Sequence, residues 1–141
     1  MSIGNIFGIA ASAMNAQMVR MNSTASNMAN AGTVGGSPDD AYKAKRPVFQ
    51  ALLHEHQLSQ GAQFLGGVKI VGMVDDQAAT KKMHDPGNPM ADKDGFVYGS
   101  NVNEVTEMVE MMGAARSYQN NVEVVNTARE LMMRTLDITK A

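Results

Sequence analysis

The sequence predicts a mainly α fold with a small β-rich insert, its long N- and C-terminal helices packing as a coiled-coil-like pair and with neighbouring chains. Three observations predict it. Near the N-terminus, Phe7, Ala11, Met14, Met18, Met21, Ala25 and Met28 follow one another at spacings of four and three. Near the C-terminus, Met108, Met111, Ala115, Tyr118, Val122, Val125, Met132 and Leu136 do the same, with Arg129 breaking the series. An apolar repeat of 3.5 residues makes a narrow seam that must bury against another helix. The middle carries no such repeat, and with no Trp, four Phe and three Tyr the chain is short of large core anchors.

The boundaries follow from composition. Residues 1–31 are the N-terminal helix, 32–41 a linker, 42–100 a small β-rich or irregular insert, and 101–141 the C-terminal helix. The first helix, from Ser2 to Ala31, is roughly 45 Å long at 1.5 Å per residue. Its polar face is Asn, Gln, Ser and Thr, so it lacks the i,i+4 ion pairs that hold an isolated helix together. Alone in water it is marginal and depends on partners.

Gly32 to Pro38 is dense in helix breakers and ends that helix. In the insert, Val48 to His56 is an expected strand introduced by Pro47. Val68 to Val74 is another, with Val68 and Ile70 on one face. Asp94-Gly95 turns into a short strand, Phe96-Val97-Tyr98. Asn101 is the expected cap of the second helix, with Glu104 as its capping-box partner. Glu104, Glu107 and Glu110 early in that helix, and Arg134 and Lys140 late in it, suit the helix dipole. Gly113 is its weak interior position.

Composition excludes several functions. The net charge of −2 gives no basic footprint for nucleic acid. The absence of Cys removes disulfide and thiol chemistry. No apolar run approaches the ~18 residues that span a bilayer. No basic region leads into an apolar stretch, so a cleaved secretory signal is not expected. Met is adaptable and suits interfaces that fit several neighbours; more than half of the thirteen Met lie on the two seams.

Catalytic and metal motifs are weak. His54 and His56 share a strand face and His84 is a possible third ligand, but their plain reading is solvated histidines. Asp92-Lys-Asp-Gly95 resembles the start of a calcium loop without the remaining ligands, and its plain reading is a hairpin turn. Asp75 and Asp76 are neighbours that point to opposite faces of a strand. There is no G-x-S-x-G elbow, and Gly32, Gly35 and Gly36 follow a helix, unlike a dinucleotide loop. The sequence thus predicts no catalytic residue, metal or cofactor.

Three stretches carry a family resemblance. Ser26-Asn-Met-Ala-Asn-Ala-Gly-Thr33 resembles the signature closing the N-terminal helix of bacterial flagellar rod and hook proteins, with Ser26, Asn27, Ala29 and Asn30 as its marks. Ser117 to Met132 resembles their C-terminal helix, with Ser117, Tyr118, Gln119, Asn121 and Asn126 as its marks. Asp85 to Asp92, Gly95 to Tyr98 and Asn101-Val-Asn103 resemble the loop of the family's short, proximal rod member. Gly99-Ser100 departs from the family, which often has Pro before the Asn; the expected effect is confined to a turn.

The resemblance implies a structural subunit of the flagellar basal-body rod. Such a subunit polymerises through its terminal helices into the drive shaft that crosses the periplasm and into the wall of the export channel. Implied partners are other copies, other rod proteins, the basal-body base and the flagellar type III export apparatus; no nucleic acid or small-molecule substrate is implied. The expected subunit-interface residues are Phe7, Met14, Met18, Met21, Met28, Met108, Met111, Tyr118, Val122, Val125, Met132 and Leu136. The rival reading from the residues alone is a soluble helical hairpin that binds other proteins.

Overall fold

The computed structural model describes residues 3–52 and 66–140. Two long helices run antiparallel, with two small sheets at one end and along the side of the first helix. The first helix, α1, spans Ile3–Ala29 and contains neither Pro nor an interior charge cluster. Asn30 closes it: its Nδ2 donates to Ser26 O at 2.8 Å, and its own carbonyl accepts from Thr33 Oγ1 at 2.7 Å. These contacts satisfy carbonyls that the last turn leaves open.

Five strands follow. They are β1, Val34–Gly35; β2, Lys45–Ala51; β3, Val68–Asp75; β4, Lys81–His84; and β5, Phe96–Gly99. One antiparallel sheet has the order β1-β5-β4. The other is the β2–β3 pair, with a bulge after Val48 that leaves Val71 out of the pairing. The second helix, α2, spans Glu104–Lys140 and, at 37 residues, exceeds the 27 of α1.

The polypeptide turns tightly where β1 meets the loop behind it. A Cβ on Gly35 would lie 2.9 Å from both Ala41 N and Asp40 C, so only glycine fits there. At the entry to β3, Gly67 has φ 137°, and a Cβ would come within 3.0 Å of Ser12 Oγ. This close approach lets Ser12 Oγ accept from Val68 N at 3.2 Å and pins β3 to α1.

Several expectations need correction. The β part is two separate antiparallel sheets, and one of them recruits β1 from just after α1. The helices do not pair along the expected seam. Met18, Met108, Val122 and Leu136 are exposed at 45%, 49%, 37% and 48%. The buried side chains of the helices are instead Ala10, Ala16, Ser23, Thr24 and Asn27 on α1, and Glu107, Ala114 and Ala128 on α2. On α2 the inward face runs Glu107, Met111, Ala114, Tyr118, Asn121, Val125, Ala128, Met132. It shares every second position with the expected seam and is otherwise shifted by one residue. Small side chains bring two helix backbones close, and the large Met side chains then fall toward the rim.

The cap of α2 is Asn103, not Asn101. Asn103 Oδ1 accepts from Val105 N at 3.1 Å and Thr106 N at 3.2 Å, and Glu104 is the first helical residue. Ser100 does more than shape a turn. Its N–H donates to Thr33 O at 3.2 Å and its hydroxyl donates to Ala31 O at 2.6 Å, so it ties the end of α1 to the approach to α2. Strand β4 was not expected. The strand expected from Val48 is β2, starting at Lys45; His54 and His56 lie outside the described residues.

Candidate assembly site

The sheet end of the helix pair is organised by one buried amide. Asn27 is fully buried. Its Nδ2 donates to Lys45 O and to Glu107 Oε2, each at 3.0 Å. Its Oδ1 accepts from Lys45 N at 2.8 Å and Tyr42 OH at 3.0 Å. An amide has two donors and two acceptor sites, and all four are used. Ser23, one turn earlier, donates to the same Lys45 carbonyl at 2.6 Å. Thus α1 grips β2 through main-chain atoms.

Glu107 is also fully buried. Its second oxygen, Oε1, lies 2.8 Å from Arg46 Nη2, an ion-pair contact not aligned as a hydrogen bond. Arg46 reaches Glu110 Oε2 at 3.1 Å and Asp76 Oδ2 at 3.5 Å as well. A buried carboxylate without partners would cost several kcal/mol, so Asn27 and Arg46 make its burial tolerable. Asn101 closes the same junction from the other side. Its Oδ1 accepts from Ala44 N at 2.8 Å, and its Nδ2 donates to Asp76 O and Ala78 O at 3.0 Å. These side chains join α1, β2, the end of β3 and α2 in one polar knot.

The rest of the family signature divides by role. Asn30 caps α1 and Ser26 supplies the carbonyl it binds. Asn121 Nδ2 donates to Ser117 O at 2.8 Å on the half-buried face of α2. Tyr118 is half-buried, whereas Ala29, Gln119 and Asn126 face outward. Glu107 and Arg46 belong to the knot and no sequence motif marked them. The one available signal was that a second 4-3 register of α2 passes through Glu107.

Two titrating groups stand outside the knot. Asp92 Oδ1 accepts from Phe96 N at 2.8 Å and Asp94 N at 2.9 Å, which holds its carboxyl below the usual range, with Phe96 the main cause. Lys45 Nζ pairs with Asp75, whose hydrogen bond raises the Lys45 pKa. Asp75 and Asp76 therefore have different partners, Lys45 and Arg46. His84 packs edge-on against Phe96, with ring centroids 5.0 Å apart. Among the described residues no group of three acidic, His or Cys side chains is placed to hold a metal.

The outward surface of α2 is apolar in long stretches. Val105, Met108, Val109 and Met112 are exposed in its first turns, and Val124, Leu131, Met133 and Ile138 further on. Near the N-terminus of α1, Ile6 faces Val124, Thr127, Ala128 and Leu131 across a groove of about 470 Å³. Phe7, Met14, Met21 and Met28 are half-buried along α1, and Met111, Val125 and Met132 along α2. No described helix is long and apolar enough to cross a membrane.

The chain has relatives of known assignment. Residues 93–138 match the family model described as the flagellar basal body rod FlgEFG protein C-terminal region. The chain is 46% identical over 138 residues to the flagellar basal-body rod protein FlgC of Yersinia enterocolitica, covering 98% of each. The FlgC protein of Salmonella typhimurium is equally similar, at 46% identity and 98% coverage of each. That of Buchnera aphidicola from Acyrthosiphon pisum is 44% identical over 142 residues, covering 99% of this chain and 100% of the relative.

Proposed function

Because the chain belongs to the FlgC family of flagellar basal-body rod proteins, and so is a structural rod subunit, we propose that it polymerises through the outer faces of α1 and α2 at the proximal end of the rod. The observation that carries this reading is the apolar outer face of α2, which the intrachain packing leaves uncovered. Met18, Met108, Val122 and Leu136 lead the contact, since they are exposed in the single chain. Phe7, Met14, Met21 and Met28, half-buried on α1, complete it, and Met111, Tyr118, Val125 and Met132, half-buried on the inward face of α2, contribute only their exposed part.

The proposed partners are further copies, other rod proteins and the basal-body base. The subunit leaves the cell through the flagellar type III export apparatus and assembles in the periplasm. Its work is mechanical, the transmission of torque, and requires no cofactor. The apolar end of the helix pair, where among the described residues no side-chain hydrogen bond joins α1 to α2, opens at lower cost than the knot, which suits passage through a narrow channel before partners cover it. A self-sufficient helical hairpin is less consistent with this surface, because it would leave the same apolar face in water.

The direct test is mass spectrometry of basal bodies washed with detergent and high salt. Retention at the level of other rod proteins is expected. Loss of the chain from particles that keep those proteins would overturn the reading. At residue level, Met18→Asp and Met21→Asp are expected to block incorporation while leaving secretion near the wild-type rate, with changes at Gln17 or Asn22 milder. Normal rods from both Asp variants would reject the assignment of this face.

A further inference from the structure

We propose that the cleft between α1, β2 and α2 receives a carboxylate from the α2 helix of a second copy, with Arg20 as the group that binds it. The inference rests on the chain being a rod subunit, and adds a specific polar contact to its apolar assembly surface.

The cleft has a volume of about 510 Å³, and Arg20, Arg46, Phe49, Glu110 and Gly113 are among its walls. Its two arginines differ sharply. Arg46 already meets three carboxylates, those of Asp76, Glu107 and Glu110. Arg20 has no ion pair or hydrogen bond among the described residues; its guanidinium lies over the Phe49 ring, 5.0 Å from the centroid. A cation–π contact of this kind uses the face of the guanidinium and none of its N–H donors in a hydrogen bond, so they remain free for a carboxylate. The setting is deliberate in composition too. Arg20 is the sole charged side chain in the first thirty-eight residues, so an otherwise uncharged helix places its one cation in this cleft.

The opposite wall leaves room for an incoming chain. A Cβ on Gly113 would meet nothing within 4 Å, so α2 is open there. The complementary charge exists on the same molecule. Glu104, Glu123 and Glu130 are exposed on α2 and make no ion pair among the described residues. A second copy thus offers carboxylates on the helix that the apolar surface already marks for contact. A pair formed in a partly dry cleft keeps more of its strength than one on an open surface, and reversing one of its charges is costly.

The test uses the whole chain in a flagellated host lacking its own copy. Arg20→Met keeps the stem over Phe49 but removes the charge. Arg20→Glu reverses the charge and is expected to lower incorporation into basal bodies about tenfold. Arg20→Lys should recover part of it, and Phe49→Leu should cost less than Arg20→Glu. Thermal unfolding of each secreted monomer should stay near wild type. Because the chain has no Cys, R20C paired in turn with E104C, E123C, E130C or D137C, the last at a fourth exposed α2 carboxylate with no ion pair among the described residues, reports the contact directly. A copy-to-copy crosslink in one of these pairs supports the inference. Crosslinking in none of them, or Arg20→Glu incorporating normally, overturns it. Either failure leaves the rod reading standing as long as the wild-type chain is retained in washed basal bodies.

Discussion

At the sheet end of the helix pair, Asn27 and Glu107 are sealed from water and every donor and acceptor of the amide is used. At the other end, Ile6 faces Val124, Ala128 and Leu131 across an open apolar groove, and among the described residues no side-chain hydrogen bond joins α1 to α2 there. The helices therefore have one directional joint and one permissive end. A hydrogen-bonded joint accepts a single register, because a shift of one residue strands a buried charge. An apolar groove tolerates sliding and exchange of partners, since its attraction has no direction. The first end sets which residues of α1 and α2 are level, and the second leaves surface for neighbours.

The largest expected effect tests the joint. Asn27→Leu removes four hydrogen bonds and leaves Glu107 with one partner fewer, and should destabilise the folded chain by about 3–5 kcal/mol. Denaturant unfolding of the purified monomer would show it, and a loss below about 1 kcal/mol would mean that the knot does not hold the fold. Ser100→Ala should cost about 1 kcal/mol, the net worth of the hydroxyl contact to Ala31 O. Leu131→Ser, at the permissive end, should change monomer stability by less than about 0.5 kcal/mol, since Leu131 is 58% exposed, yet reduce incorporation into rods. A monomer strongly weakened by this change would erase the contrast between the ends.

The smallest effects are pH dependences at two sites, one at the β4–β5 turn and one in the β2–β3 sheet. Asp92 is lowered in the folded chain, so its contribution is present above the unfolded carboxylate value near 3.9 and is lost as pH falls through the folded value. Lys45 is raised, so its contribution is full below the unfolded value near 10.4 and disappears as pH rises through the folded one. Backbone amide exchange at Phe96 should be slower than in an Asp92→Asn variant near neutral pH and approach the variant's rate as pH falls through the folded value, and equal rates near neutral pH would assign no role to the charge.

Much of this was legible in the sequence for physical reasons. Long periodic stretches make helices wherever they bury, and the structure has α1 over Ile3–Ala29 and α2 over Glu104–Lys140. The face was harder. A pattern that counts Met as core selects Met18 and Met108, whereas close approach of two backbones selects Ala10, Ala114 and Ala128. Glu107 reads only as an early acid that suits the helix dipole, because the amide that makes its burial tolerable lies 80 residues away. Asn101 and Asn103 are equally good caps by type, and only the main chain of residues 44, 76 and 78 decides between them. Strand β4, Lys-Lys-Met-His, has no apolar alternation and exists through its pairing with β5. The signature Asn27 was visible by resemblance, but its task was not.

One detail of the joint bears on how such a chain diverges. Asn27 reads residue 45 only through its peptide N–H and C=O, and Asn101 reads residue 44 only through its N–H. The side chain at 45 is left out of the bargain, so nineteen of the twenty residue types would transmit the joint equally and proline alone would break it. A change of residue type at 45 thus alters the chemistry of the outer β2 surface while the joint keeps its hydrogen bonds.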